Sequence, residues 1–324
     1  MRSHKPSLAI SLGDPAGIGP DVVAAAAASN KVRRACRMTV FGDARVLQSA
    51  RRLVARAGTD AIENVVEIGR LRFRADRPRP GKSCGDAAFR YLEAAAEATI
   101  QGRYDALVTA PINKLWLARA GHRYDGHTEY LSKLAGRPAT MMLTGAKLRV
   151  ILVTTHLALA AVPKRLTSDA IVSTARAVID HLREYEGLRR PRIAVAALNP
   201  HGGEGGLFGN EEAKIIAPAV RRLARTAAEV RGPLPADTLF AAAAAGDNDA
   251  VVCMYHDQAL IPLKLLEFGR GVNVSMGLPF IRTSPDHGTA YELAGTGRAN
   301  PQSMIEAVLL AASMARHRLS RRKP

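Results

Sequence analysis

The chain is poor in several features that would place it in other classes of protein. Only 3 of its 324 residues are cysteine, and no two of them form a CxxC pair. Aromatic residues make up 5% of the sequence, and no apolar run approaches the roughly 18 residues that cross a bilayer. We therefore expect no disulfide framework, no membrane partner, and reduced, buried thiols in a cytoplasmic protein.

What is present is ample apolar material for a large core. Hydrophobic residues form 47% of the chain, and its length suggests two domains or a single large one. Apolar runs typical of buried strands alternate with helix-like segments, which predicts an α/β fold with a largely parallel sheet. No repeat or low-complexity linker divides the sequence, so we expect any division into domains to be discontinuous.

The net charge of +17 is the one compositional extreme. Much of it lies in clusters at residues 51–52, 70–79, 189–192 and 316–323. A basic balance of this kind also occurs in nucleic-acid-binding proteins. Because few aromatic residues lie near the clusters and no zinc-finger or RNP-like pattern occurs, we interpret most of these charges as solvated helix faces. We expect no nucleic-acid partner, although a basic field would attract small phosphorylated substrates.

Three histidines each follow a short apolar run. The run RVILVTT leads to His156, RIAVAALNP leads to His201, and DAVVCMY leads to His256. Such runs are typical of strands buried on both faces, and open α/β sheets bind ligands at the carboxyl ends of these strands. Three imidazoles at that edge could share one divalent metal ion. The alternative is three separate loop histidines, but the repeated strand-end context favours a shared site.

Two further segments carry candidate anion-binding groups. His127 and Thr128 precede a predicted helix, where Thr128 is either an ordinary N-cap or part of a helix start that binds phosphate beside His127. Lys264, Asn273 and Arg282 follow His256 and supply a cation, an amide and a bidentate fork, which suit a carboxylate or phosphate.

The loop Gly13–Pro20 joins a predicted strand to a predicted helix. It has neither the GxGxxG pattern of dinucleotide-binding loops nor the Gly-Lys-Ser/Thr of a P-loop. Its glycines allow close approach of the backbone to a neighbour. The spacing slightly favours a tight turn over a binding loop.

Taken together, the motifs resemble a known family. In order from residue 8 to about residue 310, the chain contains GDPAGIGPDV, PINK, DGHTEYL, TTHLAL, LNPHGGEGGLFGNEE, YHDQALIPLKLLEFGRGVNVSMGLPFIRTSPDHGTA and LAGTGRANP. This series resembles the 4-hydroxythreonine-4-phosphate dehydrogenases of pyridoxine biosynthesis. The resemblance implies an isopropylmalate-dehydrogenase-like fold, with two α/β/α lobes, an active site in the interlobe cleft, and a homodimer whose partner subunit completes the site. We place the first lobe at residues 1–125 with 280–324. The second lobe, carrying the metal, substrate and dimer contacts, is placed at 126–279.

The resemblance also implies roles for individual residues. The metal ligands are His156, His201 and His256, and the ion is Zn, Co or Mg. The substrate residues are His127, Thr128, Lys264, Asn273 and Arg282. The stretch HGTAYELAGTGRANP is similar to the adenosine-binding loop of β-decarboxylating dehydrogenases, and the NAD(P) residues are Gly288, Ala290, Glu292 and Asn300. Glu292 stands where an acid commonly repels a 2′-phosphate, which predicts NAD rather than NADP. Lys264, Asp257 and metal-bound solvent remain candidates for the general base.

The implied reaction is oxidation of 4-phosphooxy-L-threonine to 2-amino-3-oxo-4-phosphooxybutanoate, which decarboxylates to 3-amino-2-oxopropyl phosphate. One alternative is a sister dehydrogenase acting on 4-phosphoerythronate, 4-phosphothreonate or an aromatic cis-dihydrodiol. A basic nucleic-acid-binding protein is the remote alternative from another class.

Overall fold

The computed structural model describes residues 5–54, 61–72 and 77–321, and within them strands alternate with helices. The strands are β1 Ser7–Ser11, β2 Arg37–Gly42, β3 Ile62–Glu67, β4 Ala106–Thr109, β5 Thr140–Thr144, β6 Arg149–Leu152, β7 Arg192–Ala196, β8 Glu229–Leu234, β9 Ala250–Cys253, β10 Val272–Met276 and β11 Ile281–Pro285. The α-helices are α1 Gly19–Ala28, α2 Asn30–Ala35, α3 Ala44–Arg52, α4 Lys82–Ile100, α5 Lys114–Arg119, α6 His127–Ala135, α7 Val162–Arg165, α8 Ser168–Tyr185, α9 Ala217–Leu223, α10 Ala236–Ala244, α11 His256–Glu267 and α12 Gln302–Arg321. The predicted α/β class is confirmed.

The described residues form two compact units. One contains the residues before Thr140 and after Gly271, and the other is Thr140–Gly271. The change-over points differ from the predicted ones, because residues 126–139 and 272–279 pack within the first unit. Tyr130 of α6 meets Phe89 of α4 edge to face at 4.8 Å, and β10 pairs with β11. These contacts anchor α6 and β10 to the first unit.

In the first unit the strand order is β3-β2-β1-β4-β11-β10. All neighbours are parallel except β10, which runs antiparallel to β11. The central strand β1 is apolar and buried, with Leu8, Ala9 and Ile10 fully covered. Helix α12 packs on β11. It buries Met304, Ala307, Val308 and Ala311, whose helical spacing gives it one apolar face.

In the second unit the order is β5-β6-β9-β7-β8, with only β5 antiparallel to its neighbour. Helices α10 and α11 bury Leu239 and Leu263 against the residues of β6, β7 and β9 that point to one face. Helix α8 buries Ile171, Ala175 and Val178 and packs against β6 and β9. Because helices cover these strands, the strands read as continuous apolar runs rather than alternating ones.

The predicted buried thiols are confirmed. All three cysteines are buried and free. No helix among residues 5–54, 61–72 and 77–321 is long and apolar enough to cross a bilayer.

Candidate functional site

The three predicted ligand histidines follow three neighbouring parallel strands of the second unit. His156 follows β6, His201 follows β7, and His256 follows β9, while the strand order is β6-β9-β7. Carboxyl ends of adjacent parallel strands share one edge of a sheet. The apolar runs before these histidines are strands, as predicted. Because the three strands are parallel neighbours, their histidines follow them at the same edge of the sheet.

The structure brings two of the three imidazoles close together. The ring centroids of His156 and His256 lie 5.8 Å apart, with their planes tilted by 42°. His201 instead has its ring contact with Phe208, at 6.3 Å. Among the residues that the structure describes, no group of three or more His, Cys, Asp or Glu side chains is placed to hold a metal ion. Within the described residues, His156 and His256 lie close together, and the shared site of three histidines stays a prediction.

Two of the histidines are oriented by carboxylates. Asp257 Oδ1 lies 2.7 Å from His256 Nδ1, and Glu204 Oε2 lies 3.1 Å from His201 Nδ1. A carboxylate on one ring nitrogen selects the tautomer that leaves the other nitrogen available to a metal ion. The donor set thus suits a divalent ion that accepts imidazole nitrogen. Asp257, predicted as a general base, is engaged with His256 in this structure.

His201 stands on an unusual loop, residues Pro200–Gly206. Five consecutive residues from His201 to Gly205 have left-handed backbone angles, with φ of 51° at His201 itself. Glu212 holds the residues that lead into this loop. Its Oε1 accepts hydrogen bonds from the backbone N–H groups of Leu198 and Asn199 at 2.8 and 2.7 Å. Burial alone would raise the pKa of Glu212, but the hydrogen bonds from Asn199 and the backbone lower it overall. We did not predict this role for Glu212; its only sequence signal is the acidic pair that closes LNPHGGEGGLFGNEE.

In the first unit, Arg282 on β11 is the most informative of the predicted residues. Its side chain is 2% exposed, and it donates to Ser275 Oγ at 3.0 Å and to Thr109 Oγ1 at 2.6 Å. Both partners are neutral, and within the described part of the chain no carboxylate pairs with it. Burial lowers the pKa of Arg282 to about 9, so it remains a cation at neutral pH. A buried cation without an acidic partner is costly, and a bound anion would relieve that cost.

His127 and Thr128 lie beside this guanidinium. Helix α6 begins at His127 with Gly126 as its N-cap, so the ordinary N-cap role for Thr128 is wrong. Thr128 Oγ1 instead lies 3.4 Å from Ser275 Oγ. Burial, together with the charge of Arg282, holds the pKa of His127 well below its usual value. Arg282, Ser275, Thr109, Thr128 and His127 therefore form one group, which we call the arginine cluster.

The other two predicted substrate residues occupy different places. Asn273 lies on β10, two positions before Ser275 and so on the same face of the strand, and is paired in register with Ser284 of β11. Lys264 belongs to the second unit, where it is exposed on α11. Thr109 and Ser275, which hold Arg282, were absent from the sequence predictions because an isolated hydroxyl residue in a strand carries no pattern.

The predicted cofactor residues share one stretch of the first unit. Gly288 has open space where a side chain would stand, and Glu292 is exposed in the short turn Tyr291–Leu293. Ala290 has a left-handed backbone, with φ of 37°. Asn300 Oδ1 accepts the N–H of Gln302 at 3.0 Å at the start of α12. Gly288 and Glu292 are therefore exposed to solvent within this stretch.

The whole chain is similar to several known proteins. Residues 34–311 match the family model described as pyridoxal phosphate biosynthetic protein PdxA. The chain is 50% identical to a 4-hydroxythreonine-4-phosphate dehydrogenase of Geobacter metallireducens, with 98% of this chain and 97% of the relative covered. It is 42% identical to a D-threonate 4-phosphate dehydrogenase of Cupriavidus necator, with 98% and 100% covered. The crystal structure of a 4-hydroxythreonine-4-phosphate dehydrogenase from Klebsiella pneumoniae gives a TM-score of 0.86 at 39% identity, with 98% and 100% covered.

The fold and these relatives define an α/β oxidoreductase. The chain belongs to the PdxA family of pyridoxal phosphate biosynthetic proteins. Family membership implies a nicotinamide cofactor and a dehydrogenase role in vitamin B6 biosynthesis.

Proposed function

We propose that the protein oxidises 4-phosphooxy-L-threonine at its C3 hydroxyl with NAD(P)+. The product, 2-amino-3-oxo-4-phosphooxybutanoate, then loses CO2 to give 3-amino-2-oxopropyl phosphate. The observation that carries the proposal is the buried, acid-free guanidinium of Arg282 within the arginine cluster. The names of the relatives at 50% and 42% identity, both dehydrogenases of phosphorylated four-carbon acids, point the same way.

The arginine cluster binds an anionic end of the substrate. Arg282 supplies the charge, and its Nε, which has no hydrogen-bond partner among the described residues, supplies a further donor. Thr128 adds a hydroxyl within reach of Ser275. His127 stays neutral, because its lowered pKa prevents a second cation from forming beside Arg282. Asn273 and Lys264 bind the remaining polar groups of the substrate.

His156, His201 and His256 hold a divalent ion, and the all-imidazole donor set suits Zn or Co better than Mg. When bound, the ion lowers the pKa of the substrate hydroxyl and polarises the ketone that replaces it. Asp257 contacts Nδ1 of His256, and Glu204 contacts Nδ1 of His201. In each ring Nε2 therefore points away from the carboxylate and is available to the ion. These two acids therefore prepare the histidines as ligands before any ion arrives.

A second copy of the chain completes the ligand set. Each ligand histidine is followed by exposed apolar side chains, including Leu159 after His156, Leu207 after His201, and Leu265 after His256. Leu265 and Phe268 are 83% and 86% exposed, which is unusual for residues of this size on one helix and its end. We expect a second copy to cover this apolar surface. Because the described residues bring only His156 and His256 close together, we propose that the other protomer of a homodimer supplies His201.

Lys264 and Asp257 remain the candidates for the general base, with solvent as the third. The two residues are seven positions apart on α11, so they lie on the same face about two turns from each other. Asp257 already accepts from His256, which favours Lys264 as the group that moves the substrate proton. The nicotinamide supplies the hydride acceptor for C3. Glu292, exposed in the cofactor stretch, favours NAD over NADP, which a comparison of kcat/KM for the two cofactors tests.

A second candidate is oxidation of D-threonate 4-phosphate, favoured by the Cupriavidus necator relative. Both substrates carry a phosphate, so the arginine cluster suits either. They differ at C2, where one carries an amine and the other a hydroxyl.

The deciding experiment measures NADH formation by the purified protein with each substrate under the same metal and cofactor conditions. A site built for one polar group discriminates strongly against its replacement, so we expect kcat/KM to favour 4-phosphooxy-L-threonine by about 100-fold or more. A preference for D-threonate 4-phosphate would replace the first candidate by the second. Turnover of neither would overturn the proposed function.

A further inference from the structure

The loop Gly13–Pro20 has no role in the proposed function, although its motif is among the longest that the sequence contains. Every residue of the loop is buried. The backbone N–H groups of Asp14 and Ile18 donate to the carbonyl oxygens of Pro111 and Thr289, at 2.8 and 2.9 Å. Because these donors are already engaged within the protein, the loop does not offer them to a phosphate.

The glycines of this loop permit close packing. A Cβ at Gly17 would lie 2.8 Å from the carbonyl oxygen of Thr289, and one at Gly13 would lie 2.5 Å from that of Pro111. Gly13 also has a φ of 73°, which a side chain rarely adopts. The loop therefore presses directly against Thr289, inside the predicted cofactor stretch.

Asp14 makes the second connection to that stretch. Its side chain is fully buried, Oδ1 accepts the N–H of Ala16 at 2.9 Å, and Oδ2 accepts the hydroxyl of Tyr291 at 2.6 Å. A buried carboxylate is costly without such donors. The Asp14–Tyr291 bond joins residues that lie far apart in the chain.

Asp21, in the first turn of α1, makes a third connection. It accepts the backbone N–H of Gly295 at 2.9 Å and pairs with Arg77. Arg77 in turn donates to the carbonyl oxygen of Gly17 at 3.1 Å. The loop and the start of α1 thus hold the stretch at Thr289, Tyr291 and Gly295.

Ala290 lies between two of these anchor points. Its φ of 37° is a left-handed angle that costs free energy for any residue with a Cβ. Such a conformation persists only where the surroundings over-determine it. The N–H of Ile18 donates to the carbonyl oxygen of Thr289, the residue before Ala290, and Asp14 accepts the hydroxyl of Tyr291, the residue after it.

We propose that Asp14, Tyr291 and the loop Gly13–Pro20 are positioning elements that keep the backbone at Ala290 in the shape that receives the adenosine half of the cofactor. This inference rests on the proposed placement of NAD(P) at Gly288–Asn300. Asp14 and Tyr291 act through that backbone and take no part in the chemistry.

The test uses Tyr291→Phe, which removes one hydroxyl and keeps the ring, and Asp14→Asn, which keeps the shape of the side chain. The matched control is Tyr130→Phe, which removes another tyrosine hydroxyl that donates to a carboxylate of the same unit, Glu93, at 3.2 Å. Two readouts are compared: amide hydrogen exchange across residues 288–297 without cofactor, and the KM values for NAD and for the phosphorylated substrate.

For Tyr291→Phe and Asp14→Asn we expect faster exchange across 288–297. We also expect a KM for NAD raised about 10-fold, as for loss of a bond to a charged group, with substrate KM within about twofold. For Tyr130→Phe we expect exchange across 288–297 and the KM for NAD to match the wild type. Unchanged exchange and unchanged KM for NAD in Tyr291→Phe would overturn the inference. If the wild type turns over no phosphorylated substrate, the proposed function fails, while the exchange of 288–297 still decides whether Asp14 and Tyr291 hold this backbone.

Discussion

Ser275 accepts a hydrogen bond from Arg282 at 3.0 Å across the antiparallel strands β10 and β11. The same hydroxyl lies 3.4 Å from Thr128, so one small side chain joins the buried cation to the start of α6. A carboxylate at this position would pair with Arg282. The hydroxyl holds the guanidinium in place without neutralising it, which leaves the charge available to a substrate anion.

Replacing Ser275 by Asp tests this relationship. We expect Ser275→Asp to neutralise Arg282 and to raise the KM for 4-phosphooxy-L-threonine at least about 10-fold, since a like charge then faces the substrate anion. Ser275→Ala is the matched variant. It should lower the free energy of unfolding by about 1–3 kcal/mol through unsatisfied buried donors, with a smaller effect on KM. A KM in Ser275→Asp equal to that in Ser275→Ala would argue against an anion at Arg282.

Arg282→Lys tests the geometry of the cation. Lysine keeps the charge but loses the planar fork that reaches Thr109 and Ser275 together. We expect a rise of about 10- to 100-fold in the KM for the phosphorylated substrate and little change in the KM for NAD. Arg103→Gln, at an exposed position of the same unit, should leave both values unchanged. An equal rise in the KM for the substrate and the KM for NAD in Arg282→Lys would instead indicate a general folding defect.

Acid should weaken the second unit through His181 on α8. Burial, and to a lesser degree the charge of Arg149, lowers the pKa of His181 to about 4. Because the folded state then binds fewer protons than the unfolded state, this contribution to stability is present above pH 6.5 and is lost as the pH falls toward 4. Between pH 7 and pH 5 we expect the free energy of unfolding to fall by about 2 kcal/mol from this group.

Urea unfolding of His181→Gln at the two pH values measures that loss. The variant should lack the His181 part of the pH dependence, whereas His122→Gln should retain it. A wild type and a His181→Gln variant that lose equal stability between pH 7 and pH 5 would contradict the assignment.

The proposed sharing of the histidines between two copies predicts complementation. His201→Ala and His256→Ala should each be inactive alone. After unfolding and refolding together in equal amounts, half of the dimers are mixed, and one of their two sites has all three histidines. We expect about one quarter of the wild-type activity from this statistical pairing. If the mixture shows no more activity than the separate variants, then either all three ligands come from one chain or the protein does not form this dimer.

Sequence patterns predicted those parts of the molecule that depend on local order. The strands before His156, His201 and His256 are predictable because a strand that is buried on both faces has a continuous apolar sequence. Arg282 and Thr128 were singled out by their motifs, yet the N-cap role for Thr128 was wrong because Gly126 occupies that position. The position of His201 relative to the histidine pair depends on the backbone of a glycine-rich loop, which residue types alone do not determine.

What the sequence could not show is the set of contacts between distant residues. Asp14 and Tyr291, or Asp21 and Gly295, meet only once the sheet of the first unit is complete. The predicted boundaries at 125/126 and 279/280 differ from the observed units for a related reason. Helix α6 packs on α4, and β10 pairs with β11, so α6 and β10 belong to the first unit.

The most direct test of the account follows NADH formation from 4-phosphooxy-L-threonine before and after a chelator, and again after Zn or Co is restored. We predict turnover with metal, loss of at least about 100-fold on chelation, and recovery on restoration, because in our proposal the histidines hold an ion that activates the substrate hydroxyl. Undiminished turnover in the chelated, metal-free protein would contradict it.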